Sequence, residues 1–300
     1  QLGSSTRSKI EGLCRSLERR GSIPLAAWRD MLAALSQETP QEFVDWLGIE
    51  RLEGHDIDVG MHRHWVDPTL PFARTVLDRA HGVVVTSATL RDAQNSESDD
   101  WSSARQQSGV AHVSGSLIEA ALPSPFDYGA KTRVFLITDI PKDSPSIISS
   151  AYRDLFLAAG GGALGLFTAI ARLRKAYAVI QPALDKAGLP LYAQHIDPLP
   201  TSTLVDIFRE EKNSCLLGTD AVRDGVDVPG HALRLIVFDR VPWPRPDILH
   251  KSRRNAFGGR TYDDQIIRAR LKQAFGRLIR HEQDKGVFVM LDSAMPSRLL

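Results

Sequence analysis

The chain has 300 residues, is 43% hydrophobic and 24% charged, and carries a formal net charge of +1. That length allows about two domains and a sizeable core, while no apolar run approaches the ~20 residues of a membrane span and no secretory segment opens the chain. Cys14 and Cys215 are the only cysteines, too few for a disulfide framework or a four-thiolate cluster, so both are expected as reduced thiols of a cytoplasmic protein with no membrane partner.

In chain order, residues 4–20 and 24–37 read as helices. The second opens on Pro24, a favourable first helical position, and carries Leu25, Trp28, Leu32 and Leu35 at helical spacing. A short third helix is expected over 40–47. Met61–Val66 then reads as a strand, Pro71–Ala80 as a helix, Val83–Thr86 as a buried strand and Asp92–Gln107 as a polar loop. His62 and His64 fall on one strand face, where a surface pair is favoured over a ligand pair. The nine histidines show no metal spacing, so no metal site is expected.

From about residue 108 short apolar runs alternate with long helical ones. The strand-like runs are 133–138, 163–167, 191–194, 215–217, 234–238 and 286–291. The helical runs are 146–159, 169–187, 202–211 and 263–280. This alternation predicts an α/β fold, a parallel sheet with helices on both faces. Gly160-Gly161-Gly162 reads as a helix stop before a strand. Charge is uneven: from Arg245 to Lys285 eleven Lys/Arg face five Asp/Glu, and residues 7–20 hold five against two. The later excess is expected to serve nucleotide and nucleic-acid phosphates in part. The earlier one reads as a solvated helix face.

Two segments carry chemistry. In Gln273-Ala-Phe-Gly-Arg-Leu-Ile-Arg280, a continuous helix puts 273, 277 and 280 on one face, and Gly276 admits a close neighbour. Two guanidiniums on one face suit an oxyanion-rich group. In Gly218-Thr-Asp-Ala-Val-Arg-Asp-Gly-Val-Asp-Val-Pro-Gly230, Thr219 sits at a strand end, a frequent place for phosphate contacts. Asp227 sits in a turn closed by Pro229 and Gly230, which would let its carboxylate face a ribose.

Together these segments resemble motifs V and VI of superfamily 2 helicases, and specifically the DinG/XPD-type ATP-dependent DNA helicases. Val83–Leu90 resembles motif III, Ser124-Pro-Phe-Asp-Tyr128 the family's S-P-F-D segment, Gly165–Thr168 motif IV, and Val241–Pro246 the proline-rich stretch after motif V. Asp284-Lys-Gly286 and the strand ending at Asp292 resemble its closing strand. The resemblance covers about residues 60–300. It departs at Val222, Arg223 and Asp224, where the family has two aromatics and Glu, and at Ala294, where it often has Arg.

The resemblance implies a RecA-like sheet plus a small helical N-terminal remnant. Residues 1–55 would be that remnant, the end of an arch-like insertion. Residues 56–95 would end the first motor domain, and 96–300 would form the second. Arg277 and Arg280 would be arginine fingers, with Gln273 reading the phosphate. Asp227, Gly225 and Gly276 would lie on the nucleotide side, Asp227 at the ribose. Thr219 and Thr168 would contact phosphates of single-stranded DNA, and Ser87, Ala88 and Thr89 would couple the sites. No Gly-x-x-x-x-Gly-Lys-Ser/Thr loop and no acidic metal box occurs in the 300 residues. The chain is therefore expected to be the C-terminal part of a longer helicase, inactive alone. ATP and Mg²⁺ would be held mainly by the first motor domain. An iron–sulfur cluster in the parent is left open. The competing expectation is a nucleic-acid-binding or scaffold module that kept the fold without the catalysis.

Overall fold

The computed structural model describes residues 4–34, 38–52, 54–91, 101–141, 144–220, 222, 228 and 230–299. The chain forms two compact units, Gln1–Ala80 with Arg245–Gly259, and His81–Pro244 with Arg260–Leu300.

In the first unit, α1 (Ser4–Ala34) is one helix of 31 residues where two were expected. A glycine inside a helix costs only about 1 kcal/mol, and neither Gly21 nor the proline at 24 interrupts the backbone. Leu25, Trp28 and Leu32 on it are exposed. Residues 40–47, expected as a helix within a helical segment 1–55, instead enter a strand. β1 (Phe43–Leu52) pairs antiparallel with β2 (His55–Trp65), from Phe43 opposite Trp65 to Leu52 opposite His55, with Gly54 at φ 86° in the turn. Cross-strand partners outweigh local helix spacing here. Phe43 and Trp65 rings lie 4.2 Å apart, Trp46 stacks on His62 at 4.9 Å, and Arg63 grips Asp45 with two bonds of 2.8 and 2.6 Å. Hydrogen bonding by Arg63 holds the Asp45 carboxyl below its ordinary value. The expected strand at 61–66 is thus the end of a hairpin strand.

The expected helix 71–80 divides into α2 (Thr69–Thr75) and a 3₁₀ turn over Leu77–Arg79. The unit is completed by α8 (Ile248–Ala256), capped by Asp247, whose side chain accepts the His250 N–H at 2.7 Å. Arg253 of this helix donates to the Val66 and Trp65 carbonyls at 3.1 and 3.3 Å. Part of the basic run therefore binds its own chain.

In the second unit, Val83–Thr86 forms no strand, and Val84 is 90% exposed. A buried strand needs neighbours on both edges, and the six-stranded sheet does not pair with these residues. Ser102–Ser108 is a short helix, α3, inside the expected loop. Tyr128–Lys131 forms α4. The six remaining strand expectations are met by β3 (Thr132–Leu136), β4 (Ala163–Leu166), β5 (Leu191–Ala193), β6 (Cys215–Gly218), β7 (Leu235–Phe238) and β8 (Gly286–Met290). All pairings are parallel, in the order β3-β8-β7-β4-β6-β5.

Alternation along each strand sorts its side chains onto two cores, one on each face. Leu164, Leu216, Ile236 and Met290 meet Leu204 and Phe208 of α7 (Thr201–Glu210) and Ile267 and Leu271 of α9 (Arg260–Phe275). Ala163, Cys215, Val237 and Val289 meet Tyr152 and Phe156 of α5 (Pro145–Ala159) and Leu173 and Ile180 of α6 (Ile170–Lys186). This is a RecA-like α/β layer with helices on both faces. α5 ends as expected at Gly160, φ 64°. Gly161 lies so close to the Asn213 carbonyl that a Cβ would sit 2.0 Å from its oxygen.

Candidate functional site

In an open parallel sheet the ligand crevice lies at the carboxyl ends of the strands. Here those ends carry a row of buried polar side chains: Gln194 after β5, Asp239 after β7 and Asp292 after β8. Asp292 fixes two loops, accepting the Val241 N–H at 2.9 Å and the Ala294 N–H at 3.0 Å. Asp239, fully buried, accepts the Thr168 N–H at 3.0 Å and the Nε–H of Arg172. Burial pushes the Asp239 carboxyl up, and the Arg172 guanidinium pulls it partly back.

Gln194 accepts both the N–H and the hydroxyl of Thr219, at 3.0 and 2.9 Å, and donates to Thr201 Oγ1 at 3.1 Å. The single hydroxyl proton of Thr219 is therefore committed to Gln194. Donating it to a phosphate requires the side chain to turn away. Thr168 is less committed, its hydroxyl lying 3.4 Å from Asp239 Oδ2. Gln194, Asp239 and Arg172 were not singled out in the sequence. The available signal was an amide or carboxylate directly after an apolar strand run, and only the fold shows which loop each one holds.

Gly218 closes β6 under Val222: a Cβ there would sit 2.4 Å from the Val222 side chain, which is fully buried. One position where the resembled family carries an aromatic is thus core here. Gly225 and Asp227, with Arg223 and Asp224, lie outside the described residues.

The helix expected to run to residue 280 stops at Phe275. The Gly276 N–H still reaches the Lys272 carbonyl four residues back. Arg277 and Leu278 then bond three residues back, to Ala274 and Phe275, and the chain tightens out of the helix. Packing drives the exit, because Leu278 and Ile279 are each 1% exposed in the core shared with Val222 and Val228. Only Gln273, exposed, remains on helix. Half-buried Arg277 and exposed Arg280 flank the buried pair, so they do not share a helical face. Asp284 locks the segment by accepting the N–H groups of Arg280 and His281 at 2.8 and 2.7 Å. Among the described residues no other element packs against Gly276. A Cβ there would meet only carbonyls of α9, Lys272 O at 3.2 Å and Gln273 O at 3.9 Å.

Ser87, Ala88 and Thr89 form an exposed turn in which the Thr89 N–H donates to Ser87 Oγ at 3.2 Å. Ser87 and Ala88 line an open cleft of about 820 Å³, with Trp101, Arg105 and Glu119 among the residues around it. Among the described residues no group of three or more His, Cys, Asp or Glu is arranged to hold a metal ion, and no helix is long and apolar enough to cross a membrane.

Residues 152–298 match the family "Helicase C-terminal domain". The chain is 34% identical over 184 residues to the ATP-dependent helicase DinG of Mycobacterium tuberculosis, covering 57% of this chain and 27% of that protein. It is 29% identical over 228 residues to the ATP-dependent DNA helicase YoaA of Escherichia coli, covering 72% and 33%. It is 26% identical over 267 residues to the 3'-5' exonuclease DinG of Bacillus subtilis, covering 82% and 27%. The chain thus spans about a quarter to a third of the length of these relatives. Among solved structures, S. tokodaii Xpd4 aligns with a TM-score of 0.40 at 15% identity, over 54% of this chain and 34% of its own. The C-terminal domain of the DEAD-box protein Dbp5 aligns at 0.36 and 16%, over 57% and 81%.

Proposed function

We propose that this chain, whose residues 152–298 match the helicase C-terminal domain family and which is similar to DinG and YoaA helicases, supplies the second motor domain of an ATP-dependent DNA helicase. Residues 56–95 are read as the end of the first motor domain, and 1–55 as the remnant of an insertion. The observation that carries the reading is the shared core. Val222 and Val228 of the first motif pack in one cluster with Leu278 and Ile279 of the second. Both motifs thus contribute side chains to one core, as an ATP site assembled from both would require.

In this reading Arg277 and Arg280 stabilise charge developing on the transferring phosphoryl group of ATP, the substrate. Their placement on a turn, with Leu278 and Ile279 buried between them, aims them by backbone geometry, and Asp284 holds that geometry. Gln273 reads the phosphate from the last turn of α9, with Gly276 beside it. Gly225 and Asp227 serve the nucleotide, Asp227 at the ribose. Thr168 and Thr219 contact phosphates of single-stranded DNA, and Ser87–Thr89 couple the two sites. Among the described residues no group of three or more His, Cys, Asp or Glu is arranged to hold Mg²⁺. The metal is assigned, with the phosphate loop, to the first motor domain of the same polypeptide. Alone, the chain is expected to release no phosphate from ATP, with or without single-stranded DNA.

The test is ATP turnover in the full-length helicase. Arg277→Ala and Arg280→Ala should each lower it by about 10³-fold, roughly 4 kcal/mol of transition-state stabilisation, and lysine should rescue poorly because a point charge does not reproduce a planar fork. Turnover within about threefold of wild type, well under 1 kcal/mol, with single-stranded DNA binding lost would make these arginines DNA contacts instead.

A further inference from the structure

At the opposite end of the sheet, where β3, β7 and β8 begin, lies a second open cleft of about 520 Å³. Four cations line it, Lys131, Arg133, Arg234 and Lys285, and no carboxylate does. Its floor is apolar, formed in part by Leu155 of α5 and Leu235 of β7.

The bonds these cations make satisfy donors without cancelling charge. Lys131 donates to the Glu282 carbonyl, and Arg133 to the Gly129 and Thr132 carbonyls. Arg234 donates to four carbonyls, those of Ala159, Gly160, Lys212 and His231, and to the Asn213 side-chain oxygen. By covering the last carbonyls of α5 it also offsets the negative end of that helix. Burial lowers its pKa. Clustered positive charge over low-dielectric walls focuses the field outward.

We propose that this cleft is a docking site for a partner's acidic peptide bearing one bulky aliphatic side chain. The carboxylates would meet Lys131, Arg133 and Lys285, with Arg234, whose five donors are engaged within the chain, adding its charge alone, and the aliphatic group would cover the Leu155–Leu235 floor. Two observations favour a peptide over nucleic acid. No aromatic ring lines the cleft, whereas single-stranded nucleic acid is held by stacking on such rings. The cleft also runs into β3, an edge strand of the sheet, where Val134 and Phe135 are 51% and 50% exposed. An open edge accepts an extended peptide as an added strand. The site lies away from the strand ends that carry Thr168 and Thr219, and it does not depend on the helicase reading.

The test is fluorescence anisotropy of this chain with a short labelled peptide of aspartates and glutamates around one leucine. It is run beside the same peptide with alanine for leucine, and beside a single-stranded oligonucleotide. Lys285→Glu changes an exposed cation. Ala158→Glu places a carboxylate in the cleft from an exposed helical position, where Glu is a good helix former. Each should weaken the leucine peptide by about tenfold or more, with circular dichroism unchanged. Loss of the leucine should weaken it by about tenfold, as burial of one such side chain predicts. The oligonucleotide should bind both variants like the wild type. No peptide binding at low salt overturns the proposal. So does binding indifferent to both variants, or displacement of the peptide by the oligonucleotide with both variants impairing the oligonucleotide; that last outcome marks a nucleic-acid site.

Discussion

Single residues decide the chemistry available at the strand ends. Thr219 is poised by Gln194, which takes its N–H and its hydroxyl proton together. Gln194→Ala should free that hydroxyl while leaving a half-buried N–H without its protein acceptor, lowering stability by about 1 kcal/mol in a urea titration; an unchanged midpoint would show that the pair is not formed. Cys215, fully buried in β6, has its thiol pushed from 9.0 up to about 12 by burial. A raised thiol pKa keeps the proton on in the folded chain where the unfolded chain loses it. Its contribution to stability is therefore full below pH 9 and lost as pH rises from 9 to 12. In a Cys14→Ser background, a thiol reagent at pH 8 should label the native chain far more slowly than the chain in denaturant. Equal rates in both would place Cys215 at the surface.

At the scale of elements, α9 shows how packing overrides local spacing. The run 263–280 reads as one helix, yet burial of Leu278 and Ile279 turns the chain after Phe275. The turn in turn requires Gly286, because a Cβ on the first residue of β8 would lie 2.8 Å from Leu278 Cδ2 and 3.1 Å from its Cγ, atoms that truncation to alanine removes, as well as 2.8 Å from its Cβ. Gly286→Ala should cost about 1–3 kcal/mol, the range for overpacking a core. Combined with Leu278→Ala, it should cost less than the sum of the two single changes. Strict additivity in that double-mutant cycle would mean the two residues do not touch. The β1–β2 hairpin makes the converse point. Residues 40–47 read locally as a helix, and the partner that makes 43–52 a strand instead, with Phe43 on Trp65 and Asp45 on Arg63, lies about twenty residues on.

For the whole molecule, the net charge of +1 conceals local excess, and part of the basic run 245–285 is used internally. Arg253 binds carbonyls of the hairpin, Arg270 donates to the Pro242 carbonyl at 2.7 Å, and Arg298 pairs with Asp264 at 2.6 and 3.0 Å near that run. Fewer cations are then available to single-stranded DNA than the sequence count implies. Binding should be weak, without sequence preference, and should fall steeply between low and physiological salt as counterions are released. Anisotropy over a salt series reads this, and an affinity indifferent to salt would remove the DNA track from this chain.

The sequence by itself determined the parallel sheet of the second unit. Its six strands are short apolar runs of three to five residues set between helices, and both periodicities are local properties of the chain. It also located the two motifs on which the resemblance to a helicase family rests. Tertiary structure decided what local spacing does not contain. Residues 43–52 are a strand because a partner strand pairs with them. Val83–Thr86 is exposed because no strand lies beside it. Arg277 and Arg280 sit on a turn because the core claims the two residues between them. Thr219 is held by Gln194 because β5 and β6 are neighbours in the sheet, although 25 positions separate the two residues in the chain.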